Sequence, residues 1–131
     1  MGMPLAFVSI FADDLDALGT FYADAFGLSE HAHYRTPIFR SFDLGGGASL
    51  ALHAHEAYAL VGLDDHRSTS GVASMLTFDP GSAEAVDAET QRLVARGATL
   101  VKGPYVTVYH ARQAVLFDPE GNVVRLSHQL P

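Results

Sequence analysis

The chain has 131 residues, a formal net charge of −7 and no cysteine. That length suits one ordinary domain with a real core, and 48% hydrophobic against 18% charged residues marks it as globular rather than disordered. Eight Lys and Arg with no basic run exclude a nucleic-acid footprint, the missing cysteines exclude disulfides, thiol catalysis and thiolate zinc sites, and no apolar run of 18 residues offers a membrane span.

The start, MGMPLAFVSIFADDL, lacks the basic opening and small-residue cleavage site of a secretory signal, so a cytoplasmic protein is expected. Residues 4–12 read as a strand. ADDLDALGTFYADAFGLS then reads as a helix, capped by Asp13 or Asp14, with Leu15, Leu18, Phe21, Tyr22, Ala25 and Phe26 as its apolar stripe and Gly27 as its stop. Strands are predicted at about 28–35, 38–44 and 48–55, the last two joined by Gly45-Gly46-Gly47. Residues 56–70 read as a connection with room for a helical turn.

The pattern then repeats. GVASMLTFD reads as a strand and GSAEAVDAETQRLVARGA as a helix with Val86, Thr90, Leu93 and Val94 on one face and Gly97 as the stop. Strands at about 98–101, 104–110 and 112–117 follow, then the turn Asp118-Pro119-Glu120-Gly121-Asn122 and the closing strand NVVRLSH. Phe42-Asp43 and Phe117-Asp118 stand at matching places. The sequence therefore predicts an α+β fold built from two βαβββ modules: module one at about 4–56, a linker at about 57–70 and module two at about 71–129.

Two stretches carry a family resemblance: FVSIFADDLDALGTFYADAFGL and QAVLFDPEGNVVRLSH. With Asp14-Leu15, Phe21-Tyr22, Gly27-Leu28 and the DPEGN turn at their expected separation, the chain resembles the glyoxalase/bleomycin-resistance/extradiol-dioxygenase superfamily, the vicinal oxygen chelate proteins, over about residues 4–129. The resemblance implies mostly antiparallel sheets curled around a cavity, usually completed in a homodimer. It also implies one divalent metal held by His, Gln or Glu from the first and last strands of each module. Those four positions fall here on Phe7, Ala51, Ser74 and Arg125. None is a suitable ligand, and Arg125 adds a fixed positive charge, so no metal cofactor is expected.

HAHY at 31–34 and HAHE at 53–56 raise the metal question again, because His at i and i+2 on a strand points both rings one way. The strand order that the resemblance implies would separate the two pairs by roughly 10 Å, so they are not expected to share an ion. His31 and His33 are expected on a rim strand, and His53 in the cavity, with His55 beside it if the strand runs on. Alternation assigns Val8, Ile10, Leu50, Leu52, Val124 and Leu126 to a helix-facing core. It assigns Phe7, Ser9, Phe11, Ser49, Ala51, His53, Ser74, Leu76, Val123, Arg125 and Ser127 to a cavity lining.

Tyr105, Thr107 and Tyr109 alternate on one face, either as stacking platforms for a planar ligand or as parts of the sheet. Gln113 is either a hydrogen-bonding handle or an exposed strand start. Arg125 requires an anionic or carbonyl partner, internal or from a ligand. The candidate ligand-binding set is thus Phe7, Phe11, His53, Ser74, Tyr105, Tyr109, Gln113 and Arg125. The expected function is noncatalytic binding or sequestration of a small organic molecule, with Arg125 and His53 as polar anchors. The alternative is an enzyme: a lyase, isomerase or dioxygenase with relocated metal ligands, or a metal-free acid/base catalyst with His53 as base.

Overall fold

A computed structural model describes residues 2, 5–67, 71–72 and 74–131. The chain divides into two compact units, residues 1–69 and 70–131.

In the first unit, β1 (Phe7–Ala12) leads into α1 (Leu15–Ala25), followed by β2 (Phe39–Gly45), β3 (Ala48–Ala54) and the short α2 (Glu56–Leu60). The Asp14 carboxylate accepts the Ala17 N–H at 3.0 Å and caps α1, a contact contributing about 1 kcal/mol. Leu15, Leu18, Phe21, Tyr22 and Ala25 are buried at helical spacing, and Gly27 takes the left-handed conformation (φ 63°) past the helix end. The sheet order is β1-β3-β2, parallel between β1 and β3 and antiparallel between β3 and β2.

One predicted strand of this module does not form. In place of 28–35 there is a single bridge, Glu30 to Phe42, then a 3-10 turn over Ala32–Tyr34. The backbone is held there by His31 N–H to Ser41 C=O at 2.8 Å, so the segment lies against β2 without extending a ladder.

A buried arginine supports this arrangement. Arg40 is 4% exposed, and its Nη2 and Nε donate to the Glu30 carboxylate at 2.7 and 3.1 Å, with Nη1 on the Asp16 carbonyl at 3.1 Å. The guanidinium fits beneath α1 because Gly19 has no Cβ; one built there would stand 2.4 Å from Nη1. The Arg40 hydrogen bond, with its charge, holds the Glu30 carboxyl below the usual carboxylate range against the opposing effect of burial.

The second unit follows the same plan: β4 (Met75–Phe78), α3 (Ala83–Ala95), β5 (Thr99–Val106), β6 (Ala111–Phe117) and β7 (Val123–Gln129), in sheet order β4-β7-β6-β5. Ser82 caps α3 through the Ala85 N–H, and Val86, Thr90 and Leu93 are buried. Val94, predicted on that face, is exposed. The strands predicted at 98–101 and 104–110 are one strand, β5, whose register shifts twice where Lys102 and the cis Gly103-Pro104 bond interrupt pairing. It ends at Val106; residues 107–110 form the hairpin turn, closed by Thr107 Oγ1 accepting the Ala111 N–H at 3.1 Å.

Both sheets are mixed: β2–β3, β5–β6 and β6–β7 pair antiparallel, as expected, while the first and last strands of each module pair in parallel. The Phe-Asp landmarks repeat in turn chemistry but not in facing. Asp43 and Asp118 both accept backbone N–H groups two residues on. Phe42, however, pairs with Leu50 on the helix side, whereas Phe117 pairs with Val123 on the opposite side.

Candidate functional site

Each sheet buries one face against its helix and turns the other away. In the first unit, strand register arranges the open face in rows: Phe7–Ser49–Asp43, Ser9–Ala51–Ser41 and Phe11–His53–Phe39. Phe7, Phe11 and His53 therefore share this face, as alternation predicts. Phe7 is 53% exposed at its rim. Phe11 is stacked on Tyr58 of α2, with ring centroids 3.9 Å apart, and the Arg67 guanidinium covers the far face of that tyrosine at 4.6 Å. The helical turn allowed in the linker forms as α2, but sequence reasoning passed over Tyr58, because nothing in the linker signalled that it packs on the sheet.

His53 Nε2 lies 3.2 Å from Ser9 Oγ, and its ring is flanked by Phe11 at 5.4 Å and Phe39 at 5.1 Å. Burial lowers its pKa, which favours the neutral ring. His55 does not join it. β3 stops at Ala54, the backbone turns helical at His55, and its Nε2 meets Asp13 Oδ1 at 2.8 Å.

His31 corrects the rim-strand expectation, because the 3-10 turn swings its ring over the sheet to Ser49 Oγ at 3.2 Å. His33 remains exposed beside Tyr34. The two rings thus anchor to different serines, Ser49 on β3 and Ser9 on the neighbouring β1, two residues apart in register on one face. His31, Tyr34, Phe39, Ser41, Ser49 and Phe7 line an open pocket of about 570 Å³.

In the second unit, the open face carries the row Thr77–Arg125–Val115–Lys102 beside the row Ser127–Gln113–Tyr105. Ser74 is not part of it. Leu76 pairs with Val124 and Phe78 with Leu126 on the helix side, so the alternation in β4 is one residue off the prediction. Thr77 stands beside Arg125, and Ser74 is exposed ahead of the strand.

Gln113, 4% exposed, is an organiser of neighbouring side chains. Its Oε1 accepts from Tyr109 Oη at 2.7 Å and Ser127 Oγ at 3.4 Å, while its Nε2 donates to Tyr105 Oη at 3.1 Å. Both tyrosines are thereby held over one glutamine. Lys102 Nζ sits 4.4 Å from the Tyr105 ring centroid. Arg125 Nε donates to Thr77 Oγ1 at 3.1 Å, and neither Arg125 nor Lys102 meets a carboxylate among the described residues.

The residues at the family's metal positions do not fit a divalent ion. Phe7 and Ala51 carry no donor, Ala51 lies between Ser9 and Ser41, and Arg125 brings a cation. Among the described residues no three His, Asp or Glu side chains converge on one point.

Comparison with known proteins defines the class first. The chain shares its α+β fold with a protein from Nocardioides described as a glyoxalase/bleomycin resistance protein/dioxygenase (24% identity, 99% of this chain and 86% of that one, TM-score 0.80). It shares it also with lactoylglutathione lyase from Agrobacterium tumefaciens (22% identity, 97% and 94%, TM-score 0.73). A glyoxalase/bleomycin resistance protein/dioxygenase family enzyme from Burkholderia phytofirmans PsJN is similar at 44% identity, over 98% of this chain and 100% of that one, with a TM-score of 0.93. The family model of the glyoxalase-like domain matches residues 7–127, and the chain belongs to that family. No curated protein matches it.

Proposed function

We propose that the protein binds a small organic anion without transforming it, and that the open face of the second unit takes the anionic group. One observation carries the reading. In a chain with 15 acidic residues against eight basic ones, Arg125 and Lys102 flank Val115 on one sheet face, and among the described residues neither meets a carboxylate. Arg40 and Arg112, by contrast, are each held by two hydrogen bonds to a carboxylate. A guanidinium with open donors suits a carboxylate or phosphate, and the ordered Tyr105 and Tyr109 rings supply an apolar border for the rest of the molecule.

The reading includes no metal, since Phe7, Ala51 and Arg125 offer no donor set for one. Native mass spectrometry of untagged protein tests it. An anionic small molecule should accompany the wild-type chain and be absent from Arg125→Ala. A stoichiometric divalent ion, lost in His53→Ala, would overturn the proposal.

A further inference from the structure

The connection after β3 has a construction of its own, and we infer that residues 55–67 form a lid that swings as one body and covers the Phe11 end of the first unit's open face. The lid lies within residues 1–69 and uses neither Arg125 nor Lys102, so it stands independently of the anion reading.

This stretch of chain is bonded mainly to itself. α2 has only five residues, too few to hold a helix alone. Local hydrogen bonds close the backbone: Tyr58 N–H to His55 C=O at 3.0 Å, Leu63 N–H to Tyr58 C=O at 2.8 Å and His66 N–H to Leu63 C=O at 2.9 Å. Arg67 then ties the two ends together. Its Nη2 donates to the His55 carbonyl at 3.4 Å and to Asp64 Oδ1 at 2.6 Å, and its guanidinium lies 4.6 Å from the Tyr58 ring centroid. A compact surface loop whose ends meet and whose own side chains fill it is an Ω-loop. Because these bonds lie inside the loop, they survive a movement of the loop as a whole.

Its fastening to the sheet is slight. Among the described residues, the ring and polar contacts that leave the loop are Tyr58 stacked on Phe11, with centroids 3.9 Å apart, and His55 Nε2 on Asp13 Oδ1 at 2.8 Å. Asp13 is exposed, so water screens that pair. Ala57 is the buried residue of α2, while Leu60, Val61 and Leu63 are exposed and do little to hold the loop down. A segment with few buried apolar contacts opens at a lower free energy than the fold as a whole.

The place it covers gives the lid its consequence. Phe11 belongs to the row Phe11–His53–Phe39, and Tyr58 lies flat on the Phe11 ring. No other planar group stacks on that side of Phe11 while the lid is closed. With Arg67 against its far side, the Tyr58 ring leaves with the lid rather than by turning about its own bonds. Opening bares the Phe11 ring beside His53.

The chain has no cysteine, so a thiol placed under the lid reports its opening. Ala57→Cys should react with dithiodipyridine at least about a hundredfold faster than Leu52→Cys, whose thiol in the sheet core is reached by global unfolding. Leu52→Cys is a core truncation that speeds its own unfolding, which makes the comparison strict. Adding Tyr58→Ala should speed the Ala57→Cys reaction about three- to tenfold, the worth of a ring pair, and adding Asp13→Asn about twofold. Hydrogen exchange of the unaltered chain separates swinging from melting. The Leu63 amide, bonded inside the lid, should show a larger opening free energy than the Ala57→Cys thiol. Equal labelling of Ala57→Cys and Leu52→Cys would mean that the loop opens only with the whole unit. Unaltered labelling in both Tyr58→Ala and Asp13→Asn would mean that these contacts do not hold it. Either result overturns the inference, and so does a Leu63 amide that opens as readily as the thiol, since the loop then melts instead of swinging.

Discussion

The two units repeat one plan and put their arginines to opposite uses. On β2, Arg40 has the parity of Phe42 and Leu52, so it points beneath α1 and is held there by Glu30. On β7, Arg125 has the parity of Val123 and Ser127, so it points away from α3 and, among the described residues, hydrogen-bonds to the Thr77 hydroxyl. A one-residue change of register decides whether a strand arginine is a structural element or a group available to a ligand. The open faces differ accordingly: the rows of the first unit's face hold no Lys or Arg, whereas those of the second hold Arg125 and Lys102.

The sharpest way to break this contrast is to remove the partner of the buried arginine. Glu30→Ala leaves a guanidinium without its carboxylate under a helix and should cost about 3–5 kcal/mol in chemical denaturation. Gly19→Ala should cost about 1–3 kcal/mol, because the new methyl group displaces that guanidinium. Arg125→Ala should change stability by no more than about 0.5 kcal/mol while abolishing 2-naphthoate binding. A large loss of stability there would make Arg125 structural and erase the distinction.

Smaller effects follow from titration. Burial lowers the His53 pKa, so the unfolded chain takes up that proton first as pH falls below about 6.5. His53 therefore lends stability above that pH and loses it as pH falls toward its lowered value, and His53→Gln should flatten this part of the pH–stability curve. Glu30 acts further down the scale, since its pKa is depressed chiefly by the Arg40 hydrogen bond. Its contribution is complete above the ordinary glutamate range and disappears as pH falls through the lowered value. Melting temperatures measured from pH 7 to pH 3 in Glu30→Gln and in the wild type should converge at the acid end.

Much of the fold was legible because local chemistry and global packing agree. The Asp14 and Ser82 caps, the Gly27 and Gly97 stops and the alternation of Leu50, Leu52, Val124 and Leu126 each point to one element with one buried face. The errors fell where short segments offered competing options. Residues 28–35 have strand-like composition, yet their backbone pairs once and then turns, which carried His31 from the rim to the cavity. In the four-residue β4, the face could not be read from so few alternations, and Ser74 was preferred where Thr77 stands.

By itself, the sequence determined the α+β class, the repeated module, the family and the unsuitability of Phe7, Ala51 and Arg125 as metal ligands, because each rests on residue type at a known place along the chain. Only tertiary structure decided which polar groups consume one another and which remain open. Glu30 satisfies Arg40 across ten residues of sequence, Gln113 satisfies two tyrosines, and Arg125 meets the Thr77 hydroxyl across 48. Those pairings act across strands and between strand and loop, where separation along the chain carries no information about distance in space.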